Sequence, residues 1–285
     1  PAQPYPVPHS FLAGVPAEFH DPHGSAPGAD LPDCRPAPEH PRPVLLVHGF
    51  TANRQFNWAT VAPYLANHGF CVYSFTYGTL PLPLPLGNRG GLTPMAEIDR
   101  QMAAAVADVR ARTGAAEIDL VSHSMGSVVA TSYAKLGSGA DHVHTVVNLA
   151  GVIGGQDDPG GVVRTLTDAI AHDPGSSGFV GGRPGVADIL AGSERILALN
   201  AGGSPYADGV DYTNIVSRHD ETIRPYTRGL ADGPRATNIV LQDGCEIDHS
   251  GHGAVASQPR ALAFLHNALS PERPVPVPCL PAGRN

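Results

Sequence analysis

Ser122-His123-Ser124-Met125-Gly126 lies where an apolar run, Ile118-Asp119-Leu120-Val121, gives way to a segment of helical character at residues 127–134. A chain that passes from strand to helix within five residues places the central one on a tight turn. Its side chain then projects from the strand end, above the free N–H groups of the helix N-terminus. A serine at that point has the geometry of a nucleophile elbow, and Ser124 is the candidate nucleophile. The pattern usually begins with glycine, but this chain has Ser122. Serine adds only a hydroxymethyl group where helix and strand pack closely, so the elbow is expected to survive.

The flanking sequence supplies the rest of a parallel sheet. Val44-Leu45-Leu46-Val47 is short and wholly apolar, as a strand buried on both faces requires. Further strands are expected at residues 70–75, 118–121, 143–149, 213–217 and 237–241. Helices are expected at residues 58–67 and, opened by Thr93-Pro94 with Met95, Ile98, Met102, Val106 and Val109 on one face, up to Gly114. Strands alternating with helices point to an α/β class fold, a mostly parallel central sheet flanked by helices.

Outside that core, proline crowds residues 1–43 and denies them long regular structure, so an extended N-terminal arm is expected before the domain at 44–285. Residues 77–91, where Pro81, Pro83 and Pro85 alternate with Leu82, Leu84 and Leu86, read as a loop carrying exposed leucines. The pattern weakens between about 151 and 200, which reads as a cap-like insertion above the sheet; the C-terminal tail is again rich in proline.

An activated serine needs a base within hydrogen-bond reach and a carboxylate to orient it. In the α/β-hydrolase arrangement these follow in the order Ser, Asp, His at the ends of later strands. Asp220, directly after strand 213–217, is the expected acid, ahead of its neighbour Glu221. His249 and His252 both follow strand 237–241, and spacing alone does not separate them as the base. The N–H of Met125, after the nucleophile, and that of Phe50, after the first strand, are the expected oxyanion-hole donors. His48 is expected to hold that loop by a hydrogen bond, and His123 to point away from substrate.

With 18 basic and 26 acidic residues, a formal charge of −8 provides no footprint for nucleic acid or an anionic membrane. No apolar run approaches the ~20 residues of a membrane span. His142/His144 and His249/His252 lack a third ligand in a recognisable arrangement, so no metal is expected. Neither a phosphate loop nor a dinucleotide fingerprint occurs, so no cofactor is expected either. The chain has one lysine, Lys135, against 33 glycines and 29 prolines, a composition suited to an extracellular enzyme in its mature form. Four cysteines allow three pairings. A Cys34–Cys71 bridge would fasten the arm to the sheet, and a Cys245–Cys279 bridge would anchor the tail beside the histidine-rich loop. Both would place the protein in an oxidising compartment.

The chain resembles the secreted bacterial class 2 lipases of the α/β-hydrolase superfamily and, more distantly, fungal lipases of the B type. The similarity runs from about Cys34 to Cys279. It is carried by 44–50 for the first strand and oxyanion loop, 114–126 for the nucleophile region, 213–221 with Pro225 for the acid, and Cys245 with 247–251 for the base. The resemblance implies Asp220 as acid, His249 as base, and the pairings Cys34–Cys71 and Cys245–Cys279. Ser122 departs from the bacterial pattern, and a fungal lipase of the B type is similar to this chain in lacking that glycine too.

The expectation is therefore a secreted lipase or esterase, its oligomeric state open with a monomer favoured, that cleaves carboxylic esters, acylglycerols foremost, through an acyl-enzyme. Leu82, Leu84 and Leu86, with the 151–200 insertion, would line the acyl cleft. An acyltransferase or polyesterase on the same site, or a lipid-binding protein without catalysis, are the alternatives.

Overall fold

The structure is a computed structural model and describes residues 4–173, 175 and 181–284. Six strands form one fully parallel sheet: β1 (Val44–Val47), β2 (Val72–Phe75), β3 (Ile118–His123), β4 (Val143–Leu149), β5 (Asp211–Val216) and β6 (Ala236–Val240), in the order β2-β1-β3-β4-β5-β6. Side chains alternate between faces along each strand, which divides the core in two. Leu45, Val47, Leu120 and Val146 face one apolar layer, and Val44, Leu46, Val121 and Val147 face the other.

The first layer is closed by α3 (Met95–Thr113) and α4 (Gly126–Leu136). Met95, Ile98, Met102, Val106 and Val109 form the buried stripe of α3, which ends at Gly114 with φ of +74°. Thr93 does not cap this helix: Pro94 occupies the N-cap position, and the buried Thr93 hydroxyl has no hydrogen-bond partner among the described residues. Proline at that point already presets the backbone, so the threonine is not needed to start the helix. The second layer is closed by α2 (Val61–Asn67) and by a C-terminal helix, Pro259–Leu269. Ala261, Leu262, Leu265 and Leu269 recur on the buried face of that last helix.

Before β1 the described chain carries a 3-10 helix (Phe11–Gly14) that leads into a short helix, α1 (Val15–His20), and it contributes the buried Ala26 and Ala29 to the second layer. Between β4 and β5 lie α5 (Val162–His172) and α6 (Glu194–Leu199); positions 174 and 176–180 of the expected insertion fall outside the described residues. The C-terminal helix completes the series as α7. Two disulfides, Cys34–Cys71 and Cys245–Cys279, tie the segment before β1 to the start of β2, and the tail to the loop after β6.

Ser122 has a structural reason to be there. It stands in register with Asn148, Asn214 and Asn238 on neighbouring strands. The Ser122 hydroxyl donates to Asn148 Oδ1 (2.7 Å), the Asn148 amide to Asn214 Oδ1 (3.0 Å), and the Asn214 amide to Asn238 Oδ1 (2.9 Å). A glycine at 122 would leave the buried end of this ladder without its donor.

Candidate active site

Ser124 sits on the turn between β3 and α4 with φ of +55°, a left-handed conformation that a non-glycine residue adopts only when its surroundings enforce it. The enforcement is visible. The Ser124 N–H donates to Leu149 O (3.0 Å), while its carbonyl accepts the Ser127 hydroxyl (2.7 Å) and the Ser127 N–H (2.9 Å). At Gly126 a Cβ would lie 2.2 Å from Val47 O, so only glycine lets α4 approach β1 this closely. Ser124 itself is half-buried among neighbours that are wholly buried.

The loop after β1 runs beside this elbow. Gly49 N–H donates to Asn57 Oδ1 (2.9 Å), and Thr51 N–H to Gly90 O (3.0 Å). The N–H groups of Phe50 and Met125 have no hydrogen-bond partner among the described residues, which leaves both donors free. His48 is buried, stacked on Tyr77, and accepts at Nε2 from Tyr77 N–H (3.2 Å), so its Nδ1 donates to Gly49 O (2.7 Å). Burial lowers its pKa to about 4, and it stays neutral.

Asp220 follows β5 and is buried. Its Oδ1 accepts the N–H groups of Thr222 and Ile223 (both 2.8 Å), which aims Oδ2 across the sheet end. Oδ2 accepts from His252 Nδ1 at 2.9 Å. Burial pushes the Asp220 carboxyl upward, but the hydrogen bond and charge of His252, with the two backbone donors, outweigh it and hold the group below its ordinary value. Glu221 takes a different part of the same residue: its Oε2 accepts the backbone N–H of His252 (3.1 Å).

The expectation for His249 is therefore corrected: the imidazole brought to Asp220 is that of His252. The reason is the alternation of an extended segment. Asp248 and Ser250 are buried while His249 points outward, its ring stacked on His219 at 4.6 Å. The register of this segment is fixed by the tail, since His249 N–H donates to Ala282 O (3.0 Å) and Asp248 forms a bridge with Ala282 beside the Cys245–Cys279 disulfide. The chain then turns inward at Gly251-His252-Gly253. A signal for this lies in the two glycines. A Cβ at Gly251 would lie 2.5 Å from Glu221 Oε2, and one at Gly253 would lie 2.7 Å from the Phe11 ring, so both mark where the backbone is pressed against its neighbours.

His123 is buried, its ring 4.8 Å from that of His252, with Nδ1 3.2 Å from Asn57 Oδ1 and Nε2 3.1 Å from His252 O. Burial, followed by the nearby His252 charge, lowers its pKa to about 3. Leu84 and Leu86 are exposed and Leu82 half-buried on the loop 77–91, whose far end meets the oxyanion-side loop through Gly90 N–H to Ala52 O (2.8 Å). Among the described residues no cluster of His, Cys, Asp or Glu is arranged to hold a metal ion, and no helix is long and apolar enough to cross a membrane.

Comparison with known proteins agrees with this architecture. The chain shares its fold with a lipase B of Aspergillus fumigatus (19% identity, TM-score 0.60, covering 83% of this chain and 53% of that one). It is likewise similar to the mature lipase BlEst2 of Bacillus licheniformis (13%, 0.57, 82% and 94%) and to a monoacylglycerol lipase of Paleococcus ferrophilus (17%, 0.55, 81% and 95%). The chain thus spans about half the length of the Aspergillus protein. No curated protein sequence matches it. The family described as lipase (class 2) matches residues 41–263, most of the chain. With the α/β-hydrolase fold on a six-stranded parallel sheet, this chain belongs to the class 2 lipases, a family of serine ester hydrolases.

Proposed function

We propose that the protein hydrolyses carboxylic esters of lipids, acylglycerols foremost, through an acyl-enzyme on Ser124, with His252 as base and Asp220 as its orienting carboxylate. The observation that carries this reading is the 2.9 Å hydrogen bond between Asp220 Oδ2 and His252 Nδ1, at the same end of the sheet as the strained Ser124 turn. With Nδ1 committed to Asp220, Nε2 is the nitrogen that takes the Ser124 hydroxyl proton as Oγ attacks the ester carbonyl. The negative charge that develops on the carbonyl oxygen is received by the free N–H groups of Phe50 and Met125. As the tetrahedral intermediate collapses, His252 returns the proton to the departing alkoxide, and the alcohol leaves. Water then attacks the acyl-enzyme by the same route in reverse, releasing the acid and regenerating Ser124.

The acylglycerol preference is supported by the family and by the exposed leucines of the loop 77–91, where Leu84 and Leu86 offer apolar surface for an acyl chain. Two disulfides and a single lysine support an oxidising, extracellular setting.

Labelling with an organophosphonate ester, followed by peptide mapping, tests the reading. An adduct on Ser124, turnover of a short p-nitrophenyl ester and of a triacylglycerol emulsion, and loss of both in Ser124→Ala are expected. An adduct elsewhere, or full turnover in Ser124→Ala, would overturn it.

A further inference from the structure

The segment before residue 41, which the family match does not include, reaches into the walls of the site from behind. Phe11 packs its ring edge-on against Phe56 (5.0 Å between centroids) and tilted against His123 (5.3 Å), and it presses on the backbone of Gly253, next to His252. Its neighbours continue the same clamp on the base loop: His9 Nδ1 lies 3.0 Å from Ser257 O, and Gln258 donates to His9 O (2.9 Å).

Glu18, seven residues further along in α1, is a buried carboxylate on the oxyanion side. Its Oε1 accepts the Asn53 amide and its Oε2 the Arg89 guanidinium (2.6 Å). Asn53 in turn caps the chain after the oxyanion loop, its Oδ1 accepting the N–H groups of Gln55 (3.0 Å) and Phe56 (2.7 Å). Arg89 precedes Gly90, whose N–H and carbonyl pair with Ala52 O and Thr51 N–H. Thr51 is held at φ of +57°, directly after the expected donor Phe50.

We propose that this arm is part of the catalytic apparatus, with Glu18 and Phe11 as positioning residues: Glu18 fixes the loop that presents the Phe50 N–H, and Phe11 fixes the loop that presents His252. The inference rests on the hydrolase reading above. A buried carboxylate joined to two polar partners on separate loops holds a geometry more narrowly than apolar packing does, because leaving either partner unpaired is costly. An error of about 1 Å in an oxyanion donor or in the base is enough to slow chemistry ~100-fold, while substrate still binds.

The test uses the full chain with Glu18→Gln, Phe11→Ala and the conservative Phe11→Leu. Active sites are titrated by a chromogenic phosphonate, so that kcat on a soluble p-nitrophenyl ester is expressed per reactive site and unfolded protein does not count. Glu18→Gln and Phe11→Ala are expected to lower kcat per site at least tenfold with KM changed less than threefold, and Phe11→Leu to recover most of the loss. A kcat per site within twofold of the parent in both variants, with only the thermal midpoint lowered, would reduce the arm to a stabilising strap and overturn the proposal. Absence of turnover in the parent chain itself would instead overturn the hydrolase reading, and the role of the arm with it.

Discussion

The ring of His123 reaches the backbone carbonyl of His252 across 3.1 Å, so the residue before Ser124 also holds the loop that carries His252. Both ring nitrogens of His123 face oxygen acceptors, Asn57 Oδ1 and His252 O, yet burial keeps the ring neutral with a pKa of about 3. The unfolded ring takes up its proton near pH 6.5. Between pH 6.5 and about 3 the unfolded state therefore binds more protons, and stability falls as pH falls. His48, at about 4, acts in the same direction. Each ring contributes up to about 1.4 kcal/mol per pH unit within its window. The thermal midpoint is expected to drop steeply from pH 6.5 to 4.5, and His123→Gln, less stable at pH 7, is expected to show a shallower slope. An unchanged slope in calorimetry would refute this account.

Two histidines three positions apart are expected to behave oppositely. His252→Ala should lower kcat on a p-nitrophenyl ester by ~10⁵-fold or more, as loss of a triad base does. His249→Ala, which removes only a stack on His219, should stay within about threefold of the parent chain. Steady-state kinetics on both variants decides the assignment, and a large loss confined to His249→Ala would reverse it.

Asp220 and Glu221 both hold His252, one by its ring and one by its backbone N–H. Asp220→Asn should cost ~10³–10⁴ in kcat, since the amide no longer stabilises the charged ring. Glu221→Gln keeps an acceptor for the N–H and should cost about tenfold or less. The Asp220 carboxyl titrates below its ordinary value in the folded state. Its contribution to stability is complete above that ordinary value, near 3.9, and disappears only as pH falls through the lower folded value. An acid-unfolding profile of Asp220→Asn should therefore differ from the parent in slope only below about pH 4.

Asn148→Ala should expose the weight of the polar ladder. It leaves the Ser122 hydroxyl and Asn214 Oδ1 without partners inside the sheet and opens a small cavity. The expected loss is about 2–4 kcal/mol by urea denaturation. Ser122→Gly, which removes a single donor, should cost about 1–2 kcal/mol.

The Cys245–Cys279 bridge closes a loop with a sequence separation of 34. Replacing both residues by serine should cost roughly 3–4 kcal/mol by the chain-entropy argument. The same change frees the tail whose Ala282 carbonyl sets the register of His249. Activity is therefore expected to fall at temperatures below the new unfolding midpoint, which a comparison of activity with circular dichroism on one temperature ramp would detect.

The strands of the sheet and the tight turn at Ser124 were legible in the sequence. The apolar run 44–47 reads as a strand buried on both faces, 143–149 reads as a further strand, and the step Ser122-His123-Ser124-Met125-Gly126 between an apolar run and a helical one reads as a tight turn, because these follow from local sterics and side-chain period. Which histidine meets Asp220 was decided by tertiary structure alone. His249 and His252 share one loop and one composition, and the choice depends on a register set by a tail more than 30 residues away through Ala282 and the Cys245–Cys279 bridge. The reason for Ser122, the hold of Glu18 on Asn53 and Arg89, and the place of Phe11 beside His123 depend likewise on partners distant in sequence. Local pattern carries no information about such partners, because they meet only when the chain is packed.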